Sequence, residues 1–250
     1  MPYVRTRAIV LRCTAYSDSS QVAAVIAPDL GQVHVLAKGS RKPRKDGRTA
    51  LDVLTHYDVV LSMRRSGHLH LLTEWSVREA FPILRSDPAR FWAAWHAAEA
   101  ALVSTSENPD GPVHGALLKL LRAFQREEET WLALFRCLAD ILKATGHEPR
   151  TDRCAHCGKS LCGPTRFSPR IGGALCGDCV AADPAAIPVT RGAFAAMSRL
   201  AGTDAPAARL KLGRGQRAEI QRAFAEQIQY YLGRPLRTLR FVREAEAAKS

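Results

Sequence analysis

Long apolar runs are missing from this sequence. No stretch of its 250 residues approaches the ~18 that a membrane-spanning helix needs. The opening "MPYVRTRAIVLRC" carries charge through its apolar part and lacks the shape of a signal peptide. Both absences point to a cytoplasmic protein with no membrane partner. Cysteine is too sparse for a secreted disulfide framework: there are seven, an odd number, unevenly spread. Local catalytic motifs are lacking too, with no H-E-x-x-H, no G-x-S-x-G and no dinucleotide-binding glycine pattern. "GKS" at Gly158–Ser160 lacks the phosphate-loop glycine five positions earlier, where Arg153 stands, so an ATPase is not indicated. Acidic residues do not cluster, and "EEE" at 127–129 reads as a solvated turn.

Negative charge is also short. The formal charge is +12, divided as +5 over residues 1–80, +1 over 81–180 and +6 over 181–250. Two basic ends around a neutral middle suggest a polyanionic partner, nucleic acid before membrane.

The first 80 residues read as five strands: "YVRTRAIVLRC", "SQVAAVIA", "GQVHVLAKG", "VLTHYDVVLSMRR" and "GHLHLLTEWSV". In the fourth, Val53, Thr55, Tyr57, Val59, Leu61 and Met63 share a face. In the fifth, Leu69, Leu71, Thr73, Trp75 and Val77 do. Five short alternating strands suit an OB-type barrel, a frequent binder of single strands. After residue 80 the period becomes helical. Asp87 caps a helix whose Phe91, Trp95, Ala98 and Leu102 face inward. Leu117, Leu121 and Phe124 form the next stripe. Thr130 reads as the following cap, with Gly146 as its stop. Later stripes are Phe194, Met197 and Leu200, then Ile220, Phe224, Ile228 and Tyr231. The expected architecture is α+β and multi-domain. A barrel over 1–80 precedes a helical domain over 81–149 and 184–250, interrupted by an inserted zinc module at 150–183.

That module carries the clearest chemical signal. Cys154 and Cys157 form one C-x2-C pair, Cys176 and Cys179 another, with eighteen residues between them. Two such turns can complete a tetrahedron of thiolates, which selects Zn²⁺ over hard cations. Four sulfurs leave no position for water, so the expectation is one structural zinc, contributing to folding rather than catalysis. His156 and Cys162 are nearby spare donors. Cys13 and Cys137 read as inert, partly buried thiols.

"KGSRKPRKDGR" holds six positive charges and one negative. Its Lys38, Arg41, Lys42, Arg44, Lys45 and Arg48 are placed to follow a phosphate backbone. Arg5, Arg7 and Arg12 on the first strand, with Arg64 and Arg65 at the last barrel turn, could extend that surface. The spacing of Arg234, Arg237, Arg240 and Arg243 makes a second basic helix face plausible, no better founded than a solvated one. Tyr3, Tyr16 and Tyr57 are the barrel's stacking candidates, and Tyr57 shares the apolar face. Binding should therefore be mainly electrostatic and sensitive to salt.

With these pieces assembled, the chain resembles the bacterial recombination-mediator family RecO. "AIVLR" and "DLGQVHVLAKGSR" resemble that family's barrel signature, "FSPRIGGALCGDC" its zinc segment and "YYLGRPLRTLR" its C-terminal end. The resemblance implies a protein without enzymatic activity, located with the nucleoid. It implies binding of single- and double-stranded DNA, annealing of complementary strands, and action with RecR and single-strand-binding protein to load RecA. It implies that Lys38 and Arg41 contact DNA, and that the helical domain holds the tail of single-strand-binding protein. Many members lack some of the cysteines, so zinc is not required for the family's activity. The alternatives are a zinc-dependent nucleic-acid-modifying enzyme, which needs an open metal position, and a zinc-ribbon adaptor whose cysteine module is the binding surface.

Overall fold

A computed structural model describes residues 2–42, 50–64, 69–106, 108, 110–201, 210–233 and 235–247. Five strands come first: β1 (Tyr3–Ala15), β2 (Gln21–Ala27), β3 (Gly31–Ala37), β4 (His56–Ser62) and β5 (Leu69–Glu79). They close in the order β1-β2-β3-β5-β4, with β4 returning to β1. β1 can serve two neighbours because it is long. Its first half pairs with β4 and its second with β2, and the β1–β2 register shifts between Val10 and Arg12. Only β3 and β5 run parallel. This is an OB-type barrel, filled by Ala8, Val10, Val25, Val33, Val35, Tyr57, Val59 and Leu61. Each large apolar side chain so buried contributes about 1.5–3 kcal/mol.

The fifth strand departs from simple alternation. Val60 faces Glu74, but the next residue, Leu61, faces Leu72. Thr73 is the extra residue of a bulge, and one extra residue exchanges the two faces of a strand. Leu72 and Trp75 therefore both enter the barrel. The expected face of Leu69, Leu71, Thr73, Trp75 and Val77 does not exist as one surface, and Val77 is 51% exposed.

The helices are α1 (Ile83–Ser86), α2 (Pro88–Ser104), α3 (Gly111–Gln125), α4 (Thr130–Ala144), α5 (Arg191–Ala201), α6 (Arg214–Leu232) and α7 (Leu239–Ala247). Asp87 caps α2 by accepting from the amides of Ala89 and Arg90, as expected. The buried side of α2 differs from expectation. Ala93, Ala94, Ala97, Ala100 and Ala101 are buried, while Phe91, Trp95 and Leu102 are only partly so. α2 touches α3, α4 and α7 together, and small side chains let several neighbours approach one helix. Trp92 instead stacks on Phe241 of α7, centroids 4.4 Å apart.

Glu129, not Thr130, caps α4, accepting from the amide of Leu132 at 2.6 Å. The last residue of "EEE" thus belongs to a helix terminus. Gly146 (φ +76°) ends α4 in a Schellman turn, with its amide on Lys143 O and that of His147 on Leu142 O. Phe194, Met197, Leu200, Ile220, Phe224 and Ile228 are buried as expected. Tyr231 is not: it is 40% exposed and stacks on His147 at 3.9 Å.

The barrel and the helices share one core. Ile9, Leu11 and Ile26 point away from the barrel interior and join the helical cluster. A polar joint lies beside them. Arg122 of α3 donates to both oxygens of Glu79 on β5, at 2.7 and 2.8 Å, and His56 Nδ1 lies 3.0 Å from Oε1. Arg122, then His56, hold the Glu79 carboxyl down to about 2. Gly31 (φ +68°) forms the closest approach, because a Cβ there would lie 1.7 Å from the carbonyl oxygen of Asn108.

Candidate metal centre and nucleic-acid interface

The cysteine segment folds around a small antiparallel sheet of β6 (Arg166–Ser168), β7 (Gly173–Leu175) and β8 (Ile187–Pro188). The last of these strands reaches Pro188. It is tied to the helices. Phe167 lies in the helical core near Phe194, and Thr151 Oγ1 is 2.8 Å from Ser198 Oγ on α5. Arg150 exchanges backbone bonds with Gly172 and Ala174 on the sheet's other side.

Each cysteine pair sits on a hydrogen-bonded turn, the first closed over four residues and the second over three. The amide of Gly158 donates to Cys154 O, and that of Cys179 to Cys176 O, both at 2.9 Å. Gly158 adopts φ +74°, so "GKS" is part of the first turn and precedes no helix. The sulfurs of Cys154, Cys157, Cys176 and Cys179 all lie within 4.8 Å of one another. Four sulfurs at about 2.3 Å from one zinc would stand about 3.8 Å apart. Cys157 Sγ and Cys176 Sγ are 3.8 Å apart, far beyond a disulfide. The geometry fits a tetrahedral metal.

The electrostatics point the same way. Burial works against the Cys154 thiolate, but amide donors at Cys157, Cys176 and His156 bring that thiol down to about 6. Burial and the neighbouring sulfurs push Cys179 up to about 12. One thiolate is stabilised while burial and neighbouring sulfurs disfavour those of Cys176 and Cys179, so a cation between the sulfurs is what would let them ionise together. These four cysteines could hold a metal ion. His156 and Cys162 lie outside the cluster.

Sequence reasoning missed the clasp beside this centre. Asp183 is buried, accepts from Ser168 Oγ and from the amide of Ala185, and lies 3.5 Å from Arg170 Nε. The bond from Ser168 lowers its carboxyl below the usual range. The pairing of "SPR" with a distant aspartate carries no local spacing signal. Cys137 is buried in α4, and burial raises its thiol. Cys13 is half-buried and accepts from Gln21 Nε2.

The basic residues divide into separate places. Lys38, Arg41 and Lys42 are exposed where β3 ends. Four bonds lock that corner to the β1–β2 turn or within itself. Gly39 N donates to Ser20 Oγ, Arg41 N to Ser19 O, Arg41 Nη1 to Ser17 O and Lys42 N to Gly39 O. Arg44, Lys45, Arg48 and Arg65 lie outside the described residues. Arg5 and Arg7 are exposed on β1, and Arg64 follows β4. Arg7 faces Asp58, whose carboxylate is held by Arg78 at 3.1 Å. That part of the face is mixed in charge rather than cationic.

The C-terminal arginines are not carried on one continuous helix, and Arg234 lies outside the described residues. α6 ends at Leu232 with Gly233 left-handed, and α7 begins only at Leu239. Pro235 falls in the break, which interrupts any helical repeat. Arg237 sits in the link, its amide donating to Glu99 of α2 at 3.0 Å. Arg240 lies over the Phe241 ring at 4.5 Å. Both are exposed and belong to the helical part.

Comparison with known proteins gives a consistent result. The family model described as Recombination protein O N terminal matches residues 1–81, and Recombination protein O C terminal matches 85–240. The chain is 32% identical over 247 residues to the DNA repair protein RecO of Anaeromyxobacter dehalogenans, covering 98% of this chain and 97% of that one. It is 31% identical over 241 residues to the protein of that name in Roseiflexus, covering 95% and 84%. It is 29% identical over 254 residues to that of Desulforudis audaxviator, covering both in full.

Proposed function

Because the chain belongs to the RecO family along nearly its whole length, we propose that it is a DNA-binding, strand-annealing recombination mediator in DNA repair. It acts without catalysis of its own, in the cytoplasm at the nucleoid. It works with RecR and single-strand-binding protein to load RecA. The observation that carries the reading is the cationic corner of the barrel. Lys38, Arg41 and Lys42 stand exposed on a hydrogen-bonded frame, inside the stretch that bears the family's barrel signature.

The physics of annealing asks for two cationic places and no nucleotide. Two strands repel, and each must be neutralised before they meet. The barrel corner neutralises one strand, with Arg44, Lys45, Arg48, Arg5, Arg7, Arg64 and Arg65 extending it. Arg237 and Arg240 on the helical part meet the second. Base pairing supplies the free energy and the sequence selectivity, so the protein needs only backbone contacts for the task.

The cysteine centre holds one structural zinc. A four-sulfur shell has no open position for water, and the sheet around it is tied to α5 rather than to the barrel corner. The zinc module is an insertion at 150–183 in a helical domain of 81–149 and 184–250, after a barrel of 1–80. The helical part holds the tail of single-strand-binding protein.

The test is annealing of two complementary oligonucleotides across a salt series, with and without ATP. Annealing that weakens steeply with salt and ignores ATP supports the reading. Annealing that requires nucleotide, or none at low salt, overturns it.

A further inference from the structure

α2 buries its small side chains and leaves its large rings partly exposed. Ala93, Ala97, Ala100 and Ala101 are buried, while Phe91, Trp92 and Trp95 are only partly so. With Glu99 these three recur at three- and four-residue spacing, so they form one strip along the helix. The rings are in contact. Phe91 lies 5.3 Å from both Trp92 and Trp95, centroid to centroid, and the two tryptophans are 6.3 Å apart. α7 adds a fourth ring that is also partly exposed: Phe241 stacks on Trp92 at 4.4 Å, 20° from parallel. Arg240 then lies over Phe241 at 4.5 Å.

The carboxylate on this strip is already engaged. Glu99 accepts from the amides of Arg237 and Thr238 and from Thr238 Oγ1. That clasp ties the link before α7, with Arg237 and Arg240 both exposed, to the helix that carries the rings. Glu244 stands one turn beyond Arg240 and is exposed as well. Tryptophan offers the largest ring face of any side chain, and every base has a face to lay against it. Rings that take bases, beside arginines that take phosphates, are the parts of a single-strand platform. Bases in a duplex already stack on one another and cannot meet such rings without leaving the helix.

We propose that Phe91, Trp92, Trp95 and Phe241 form a base-stacking platform on the helical part, with Arg237 and Arg240 on the phosphates beside it. The ligand is an unpaired DNA strand. This rests on the DNA-binding reading above and adds a contact to the base, where that reading has contacts to the backbone alone.

Trp75 and Trp131 are buried, so a change in tryptophan emission on binding reports Trp92 and Trp95. The experiment titrates the full chain with a 12-nucleotide oligothymidylate, an abasic strand of that length and polyglutamate. Oligothymidylate should quench the emission; the abasic strand and polyglutamate, which carry charge without bases, should not. Trp95→Leu should weaken binding of oligothymidylate by roughly 5- to 150-fold. Its binding of the abasic strand and its salt slope should be unchanged, since no charge is removed. Trp95→Phe, which keeps a ring, should retain most of the affinity. No quenching by oligothymidylate, or equal losses on both strands in Trp95→Leu, overturns the platform and leaves the DNA-binding reading standing. Equal quenching by polyglutamate would assign the rings to an acidic protein segment and overturns the platform too. Failure of the unmodified protein to bind either strand overturns both readings.

Discussion

Replacing Gly31 by alanine should loosen the barrel from the helices. Gly31 sits at φ +68°, and an added Cβ would lie 1.7 Å from Asn108 O and 2.6 Å from Ser106 O. Two costs follow. An alanine in the left-handed region costs about 1–2 kcal/mol. The clash must then be relieved by moving the 106–108 segment away. That breaks the bond from Gln32 N to Ser106 O at 3.0 Å and from Thr105 Oγ1 to Gln32 Oε1 at 3.1 Å. Each broken bond costs about 1 kcal/mol. The total is about 3–4 kcal/mol. Gly146→Ala separates the two contributions, because Gly146 has φ +76° but nothing within 4 Å of its Cβ position. It should cost only the backbone part, about 1–2 kcal/mol. Urea unfolding of both variants measures the difference. Equal losses would show that the close approach at Asn108 does not hold the two parts together. A Gly31→Ala protein within about 0.5 kcal/mol of the parent would refute the reasoning altogether.

Other perturbations follow from the same structure. Exchanging both Lys38 and Arg41 for alanine should flatten the plot of log affinity for single strands against log salt by about 1.4, from two lost phosphate contacts. An unchanged slope would remove the barrel corner from the interface. The protein should carry one zinc per chain, released by a strong chelator or by Cys154→Ser. Hydrogen exchange should then accelerate across 150–188 while the salt slope of DNA binding persists; loss of that slope would assign the module to the interface. His114 is buried, and that burial, with the charges of His56, Arg7 and Arg122, brings its pKa down to about 4, against a raising pull from Asp29. It stays neutral in the fold while the unfolded chain takes up a proton below about 6.5. Its stabilisation is therefore complete above pH 6.5 and lost as pH falls toward 4, up to about 3 kcal/mol. His114→Gln should flatten the stability profile between those limits, and a parallel profile would contradict this.

The candidate site residues were legible to very different degrees. C-x2-C spacing places two sulfurs on one short turn whatever surrounds them, so Cys154, Cys157, Cys176 and Cys179 could be named from the sequence and are found together. Lys38 and Arg41 were legible as charge in a turn-rich stretch. The frame that holds Arg41 was not, because its carbonyl partners come from Ser17 and Ser19 on another turn. Asp183 was invisible for the same reason: its partner Ser168 is reached only through the folding of a sheet.

The sequence by itself determined what depends on near neighbours. It determined the switch from period two to helical period near residue 80, the caps at Asp87 and Gly146, the paired cysteines and the basic ends. Tertiary structure decided whatever depends on which surface meets which. One extra residue at Thr73 reverses a strand face, and only the pairing of β5 with β4 reveals it. The alanines of α2 are buried because α3, α4 and α7 converge there, a crowding no helical stripe encodes. Arg237 falls in the link before α7 and Arg240 within that helix, because Glu99 of α2 accepts from the amides of Arg237 and Thr238. Periodicity and spacing report local geometry, whereas a binding surface is assembled from residues that the chain brings together from far apart.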